Sequence, residues 1–429
     1  MPRIPRVENV KCWPCRRAEA EAERRLITRG LAVMSSLLSQ RIQQTDTPCI
    51  VKMQQMLRGK TDVFSLAQGI VHWPPPSEAL VAAQAAVVDV GTSLYGADDG
   101  LPELRTALKQ KVATENGLHN SEIMVTAGAN QAYTNLVLAL LDAGDAALLF
   151  KPYYFNHLMA LQMTGSATEL VLPPSTPDLQ PDMAALRAEF EMRASSDRAQ
   201  IRMVTLVNPG NPTGVMIPPE TLEEASALCK RYGAWLVMDN TYEHFSYEGC
   251  APHTCVEGDH VVNVFSFSKA FGMMGWRVGY LAYPAALAPQ LLKTQDTIVI
   301  CPSTLSQKLA LAAMGPGRGW VDHHIGGLAE QKAMIIDALA PLGKGAVQGG
   351  SGAIYLFCRL PEGAQDDMAV VEWLVEKHGV CLIPGSACGM PGYVRVCYAN
   401  LPLDRCREAA RRLRAGLTEL ASGKVQLSR

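Results

Sequence analysis

Two hydrophobic periods alternate along the chain from about Leu101 onward. Leu101, Leu104, Leu108 and Val112 recur at the spacing of one helix face, and the apolar run from Tyr133 to Leu141 also reads as helix. Between such stretches stand short, nearly continuous apolar runs: Ala146 to Phe150, Arg202 to Asn208, Ala234 to Asn240 and His260 to Phe267. Their β-branched and aromatic content predicts strands buried on both faces, and Arg277 to Tyr283 looks like one more. Alternation of the two patterns predicts a mostly parallel sheet covered by helices, an α/β architecture. Near Gly315-Pro316-Gly317 the pattern changes to a long helical stretch, a Gly349-Gly350-Ser351-Gly352 turn, short strands and a closing helix marked by Leu413, Leu417 and Leu420. That succession reads as a second, smaller domain.

At 429 residues, with 48% apolar and 19% charged side chains, the chain is long enough for a large and a small lobe around a sizeable active site. A net charge of -2 gives no electrostatic reason to expect nucleic acid or an anionic membrane as partner. Even the apolar stretch from Leu136 to Phe150 is broken by Asp142 and Asp145, so no membrane helix of roughly 20 residues is expected. Twelve cysteines scattered along the chain fit free thiols in a reduced compartment better than a disulfide framework, and a cytoplasmic location is expected. The pair in Cys12-Trp13-Pro14-Cys15 has no second pair near it, so neither metal nor redox chemistry is assigned to it. The first 33 residues hold eight Lys or Arg, four Glu and no Ser, unlike the Ser-rich, acid-poor composition of organelle import leaders. Residues 1–45 are therefore expected to form a mobile extension.

Lys269 stands at the carboxyl end of the run His260 to Phe267, among small residues. Most lysines are solvated surface charges. Partial burial disfavours the ammonium form and leaves more neutral amine to attack a carbonyl, so Lys269 is a candidate for Schiff-base chemistry. Ligands of open parallel sheets bind beyond the carboxyl ends of the strands, and other polar groups converge on that edge. Asn208-Pro209-Gly210-Asn211-Pro212-Thr213-Gly214 follows one strand, and Asp239 and Tyr242 close another. Arg277 lies eight residues beyond the lysine, and Gly128-Ala129-Asn130 opens a helix whose N-terminal amides suit an anion. An amine, a carboxylate, a phenol, an amide and anion-binding groups would together suit an aromatic aldehyde that carries a phosphate.

Asn211-Pro212-Thr213-Gly214, Asp239-x-x-Tyr242 and Ser266-x-x-Lys269 with Arg277, in this order and spacing, resemble the fold-type I pyridoxal-phosphate aminotransferases of class I. The resemblance runs from about Ser65 to Leu420. Within it, Ser65-Leu66-Ala67-Gln68-Gly69-Ile70-Val71-His72-Trp73 and Cys255-Val256-Glu257-Gly258-Asp259-His260 look like the plant methionine and aromatic aminotransferases, the kind that accept indole-3-pyruvate. It implies a large pyridoxal-phosphate-binding domain over 79–315, with a mostly parallel seven-stranded sheet in an α/β/α sandwich. A smaller α+β domain over 316–429 follows, to which an N-terminal arm over 46–78 contributes.

The resemblance also implies roles. Pyridoxal 5′-phosphate is the expected cofactor, with Lys269 as the residue that binds it covalently and then moves the proton of the substrate α-carbon. Asp239 is expected beside the pyridinium nitrogen, which keeps the ring able to accept electrons. Tyr242 and Asn211 are expected at the ring oxygen, with Asn208 as a stand-in for Asn211. Arg277 and Ser266, together with the Ala129 and Asn130 end of the helix, are expected at the phosphate, since guanidinium matches phosphate oxygens bidentately. Tyr154 is set against the ring face, with ordinary core packing as the alternative. Tyr95, in Tyr95-Gly96-Ala97-Asp98-Asp99-Gly100, matches the tyrosine that reaches the phosphate of the neighbouring subunit, which implies a homodimer with active sites at the interface. Arg395, between Val394 and Val396, matches the arginine that grips the substrate α-carboxylate. Gly69 should approach the same carboxylate through its backbone, where a side chain would collide.

Dicarboxylate-specific relatives supply a second arginine from the partner subunit, in the segment corresponding to Lys293 through Ser306. Thr297-Ile298-Val299-Ile300-Cys301-Pro302-Ser303-Thr304 contains none. The resemblance therefore implies ping-pong transfer of the amino group of an aromatic amino acid or methionine to a 2-oxo acid such as phenylpyruvate or indole-3-pyruvate. Trp73 is a candidate for the substrate side-chain pocket, with His72 beside it and simple packing equally open for both. β-Elimination from cysteine conjugates would use the same lysine and is not separated by motif. A cofactor-binding transcriptional regulator would need an N-terminal DNA-binding domain, and the roughly 60 residues before the fold show no helix-turn-helix pattern. No Gly-x-Gly-x-x-Gly follows a strand and opens a helix, which speaks against a dehydrogenase.

Overall fold

Val261–Ser266 is buried at every position, and a strand without a wet face needs side chains packed against both of its sides. The computed structural model describes residues 37–164, 169–423, 425 and 427, so Cys12 and Cys15 lie outside the described part. Residues 1–45 form one unit and residues 46–429 another. The described portion of the first holds a short helix, Gln40–Gln44, with no buried residue.

In the second unit β1 is Phe64–Ser65, and the main sheet is built from β2 (Ser121–Thr126), β3 (Ala146–Leu149), β4 (Glu169–Val171), β5 (Ile201–Val207), β6 (Trp235–Asp239), β7 (Val261–Ser266) and β8 (Gly279–Pro284). The order is β2-β8-β7-β6-β5-β3-β4, and every pairing is parallel except the two that β8 makes. The mostly parallel seven-stranded sheet is thus present. Its two faces follow from period-two alternation. Val262 and Val264 pack with Leu136, Val137 and Leu158 on one side, whereas Val261, Leu236 and Met238 pack with Leu222 and Leu228 on the other. β8 begins two residues later than the apolar run predicts. Arg277 has φ 53°, in the left-handed region, so the chain turns there before it can extend.

A second, antiparallel sheet is formed by β9 (Val347–Gly349), β10 (Tyr355–Arg359), β12 (Ile383–Pro384) and β13 (Tyr393–Cys397) in the order β12-β13-β10-β9, and β1 pairs in parallel with β11 (Val380–Cys381). The closing helix Leu403–Ala421 buries Leu413, Leu417 and Leu420 in the core that covers this part. Between β10 and β13 the register sets Phe357 opposite Arg395 and Tyr355 opposite Cys397. Tyr355 and Arg395 are therefore diagonal neighbours on one face of the sheet. Among the described residues no helix is long and apolar enough to cross a membrane, no three potential ligands cluster as a metal site would need, and the ten cysteines are free thiols.

Candidate active site

The carboxyl ends of β5, β6 and β7 open into a cavity of about 300 Å³. Lys269, Asp239, Tyr242, Asn211, Ser266, Arg277, Ala129, Asn130, Tyr154, Arg395 and Gly69 all line it, although they come from segments spread between residues 69 and 395. Lys269 sits three residues past the end of β7, its amine turned to the cavity and enclosed by protein. Burial pushes its ammonium down to about 8; Cys397 opposes this, and the positive charges of Arg277 and Arg395 add to it.

Asp239 is the last residue of β6. One carboxylate oxygen accepts the backbone N–H of Thr241 at 2.9 Å, and the other lies 3.1 Å from His157 Nε2. Burial alone would raise this carboxyl, but His157 and Thr241 outweigh it and hold it below its ordinary value. Asp239 is thus an ionised carboxylate in a dry place. His157 belongs to the helix Phe155–Thr164, and its ring stacks on Tyr133 with centroids 4.0 Å apart. Tyr154 precedes that helix and accepts a hydrogen bond from Asn156 Nδ2 at 2.9 Å.

The helix Ala129–Leu140 starts beside β8 with its first amides at the cavity wall. Gly128 caps it at φ 86°, and a Cβ there would stand 2.3 Å from Arg277 Nη2. Arg277 Nη1 donates to Met274 O at 2.8 Å, which ties one edge of the guanidinium and leaves the other beside the helix start. Ser266 Oγ accepts the amide of Ser268 at 3.1 Å.

Across the cavity, Arg395 on β13 is 2% exposed. Its Nη1 donates to Asn211 Oδ1 at 2.7 Å and its Nη2 to Ala67 O at 2.8 Å, while Nε has no partner among the described residues. The guanidinium carbon lies 4.3 Å from the ring centre of Tyr355. Gly69 passes so close that a Cβ would meet the Tyr355 hydroxyl at 1.9 Å, so the expected collision is with this phenol.

Four residues named from the sequence stand elsewhere. Trp73 is buried behind the lysine loop and does not line the cavity: its indole N–H donates to Ala270 O at 3.3 Å, and its ring lies against Phe245 and His324. At 5% exposure and packed among these rings, the indole is part of the core. His72 accompanies it, with Nδ1 3.1 Å from Ala399 O. Tyr95 is 80% exposed and outside the cavity. Asn208 is turned away as well, its Oδ1 accepting the amide of Ile217 at 2.9 Å. His157, Thr241, Tyr355, Ile50 and Phe155 belong to the site or its immediate support without a role read for them from any motif, and Ile70, inside the Ser65 to Trp73 segment, joins them. The period-two position of Tyr355 beside the Arg395 strand is the one signal that could have pointed to it.

A guanidinium, a hydroxyl and a helix N-terminus at one end, an ionised carboxylate fixed by His157, and a buried amine between them match the phosphate, ring nitrogen and aldehyde of pyridoxal 5′-phosphate. The Gly128 cradle, where any side chain would strike Arg277, fits the same group. Fold and cavity together define a cofactor-dependent enzyme that transfers amino groups. Residues 61–413 match the family model "Aminotransferase class I and II", and the chain belongs to that family, which is pyridoxal-phosphate-dependent. The aromatic aminotransferase ISS1 of Arabidopsis thaliana is 49% identical over 387 residues, covering 90% of this chain and 97% of the relative. The aspartate/prephenate aminotransferase of Thermus thermophilus is 31% identical over 374 residues, 85% of this chain and 94% of that protein. Among solved structures, the aromatic aminotransferase from Pyrococcus horikoshii superposes with a TM-score of 0.76 at 28% identity, covering 86% of this chain and 99% of that one.

Proposed function

We propose that this aminotransferase takes its amino group from an aromatic amino acid or methionine and passes it to a 2-oxo acid of the phenylpyruvate or indole-3-pyruvate type. The observation that carries the reading is the wall of the cavity. Ile50, Ile70 and Phe155 give it an apolar side, while the charged groups that line it are Lys269, Asp239, Arg277 and Arg395. The first three of these suit the cofactor and the fourth an α-carboxylate, so among the described residues of one chain no cation is left for a second, side-chain carboxylate, and the 297–304 segment that a partner copy would bring holds no arginine. Similarity to a plant aromatic aminotransferase supports the same choice.

In this reading Arg277, Ser266 and the amides of Ala129 and Asn130 hold the cofactor phosphate, Asp239 faces its ring nitrogen, and Tyr242 and Asn211 face its ring oxygen. When bound, the cofactor supplies an electron sink for the α-carbon of the amino acid. Arg395, kept in place by Asn211 and Ala67, holds the substrate carboxylate and so turns the α-hydrogen toward Lys269. With its ammonium pushed down to about 8, roughly a tenth of the Lys269 amine is neutral at pH 7, against about one part in 3,000 for an ordinary lysine. That neutral nitrogen takes the α-proton and gives it back.

We further propose a homodimer in which Tyr95 reaches the partner's phosphate site. Its support is the exposed apolar surface formed by Val87, Val88, Val90, Leu94 and Tyr95, joined to the neighbouring Ile298–Cys301 stretch by the hydrogen bond from Gly96 N to Cys301 Sγ at 3.4 Å.

A donor-by-acceptor panel on the purified protein tests the reading, run beside absorbance spectra of wild type and Lys269→Ala. Phenylalanine, tryptophan and methionine should outpace aspartate as donors, with strict dependence on a 2-oxo acid. The variant should lack the visible band of lysine-bound cofactor. Faster turnover of aspartate would overturn the substrate class, pyruvate and ammonia released without an acceptor would favour a β-lyase, and an unchanged band in the variant would sink the lysine assignment.

A further inference from the structure

We propose that Tyr355 is a positioning residue of the reaction: its hydroxyl directs the phenol of Tyr242 onto the cofactor ring oxygen, while its ring carries the Arg395 guanidinium. The inference rests on the reading of Tyr242 and Arg395 given above.

Tyr355 is the first residue of β10 and is 1% exposed. Its hydroxyl is hydrogen-bonded to the hydroxyl of Tyr242, with the two rings edge to face and their centroids 5.4 Å apart. The diagonal register with β13 sets its ring face 4.3 Å from the guanidinium carbon of Arg395. A single side chain therefore touches the residue expected at the cofactor oxygen and the residue expected at the substrate carboxylate. Its hydroxyl also fills the space above Gly69, where any Cβ would strike it. The other titratable or charged groups facing this pair are Arg395, Tyr154, Cys397 and Lys269.

Between two phenol oxygens one hydrogen is shared, and chemistry decides whose it is. If Tyr242 gives its own proton to the cofactor oxygen, the hydrogen between the phenols must come from Tyr355. A donor that is itself hydrogen-bonded is a stronger donor, so Tyr355 makes Tyr242 a better partner for a negatively charged ring oxygen. Removing the Tyr355 hydroxyl weakens that stabilisation. The lysine-bound cofactor then holds its proton to higher pH. The ring contributes separately, by giving a desolvated guanidinium an electron-rich face.

The test separates the two parts. In Tyr355→Phe the ring remains, so the pH midpoint of the visible cofactor band should move up by about half a unit. The KM for the amino donor should stay within about twofold of wild type. In Tyr355→Leu the face is lost as well, and KM should rise about tenfold. In a Tyr242→Phe background, Tyr355→Phe should shift the midpoint no further, because the hydroxyl acts only through Tyr242. A Tyr355→Phe midpoint equal to wild type, or one that shifts equally with and without Tyr242, overturns the proposal, and so does a rise in KM for Tyr355→Phe as large as for Tyr355→Leu. A wild type without any visible band would instead overturn the Lys269 assignment beneath it.

Discussion

Gly128→Ala is expected to strip the protein of its grip on the cofactor phosphate while leaving the rest of the site in place. Gly128 holds φ 86° and ψ 165°, a conformation that side-chain-bearing residues enter at a cost of about 1–3 kcal/mol. The added methyl would also stand 2.3 Å from Nη2 and 2.9 Å from Cζ of Arg277. The guanidinium must move, yet its Nη1 is tied to Met274 O at 2.8 Å. Loss of a charged hydrogen bond of about 1.5–3 kcal/mol corresponds to about 10- to 150-fold weaker cofactor binding. Gly117→Ala serves as the control. It too imposes a left-handed φ, 69° in this case, but nothing lies within 4 Å of its Cβ, so it should lower stability by about 1 kcal/mol and leave binding alone. Calorimetric titration of the cofactor-free protein with pyridoxal phosphate, and with pyridoxal as the phosphate-free comparison, gives the answer. Wild-type affinity in Gly128→Ala, or an equal loss for both ligands, would refute the reasoning.

The Lys269 amine, with a folded value of about 8 against 10.5 unfolded, binds fewer protons in the folded than in the unfolded chain across that window. Stability of the cofactor-free protein should therefore rise with pH from about 8 to 10.5, and Lys269→Met should flatten the slope and add about 3 kcal/mol at pH 7, read by thermal melts; an unaltered slope speaks against a buried amine. Asn211→Ala takes away the acceptor of Arg395 Nη1 and should raise KM for amino donors about tenfold in steady-state kinetics, with kcat less affected; an unchanged KM counts against that support. His157→Ala removes the group that holds Asp239 ionised, so kcat should fall about tenfold with KM for the donor preserved, and a variant as fast as wild type would show that Asp239 needs no such partner.

How much of this was legible depended on whether a residue's neighbours along the chain were also its neighbours in space. Lys269, Asp239 and Asn211 stand at or just past the ends of strands whose apolar runs announce themselves, and a parallel sheet delivers such residues to one edge. β2 escapes notice because Ser121 and Glu122 open it and break the apolar run, and β4 because three residues are too few for a pattern. For Trp73 the sequence leaves pocket and packing equally open, for a different reason. Proximity in sequence to Gly69 says nothing about which way an indole points, and burial against Phe245 and His324 decided it. His157 sits on the largely buried helix Phe155–Thr164, where an imidazole reads as core, and only the pairing with Asp239 distinguishes it. Tyr355 lies in the apolar run Ala353-Ile354-Tyr355-Leu356-Phe357, where nothing local separates a working phenol from a packing one.

Arg395 carries its positive charge in a place that water scarcely reaches, and the two acceptors the chain gives it, an amide oxygen and a backbone carbonyl, are both neutral. The protein is in this sense built one counter-ion short. On the proposed reading, a substrate's carboxylate does more than dock there: it completes an ion pair whose other half is part of the fold. Substrate and product each bring that carboxylate, so the same deficit is met on both halves of the catalytic cycle, whichever side chain the acid happens to bear.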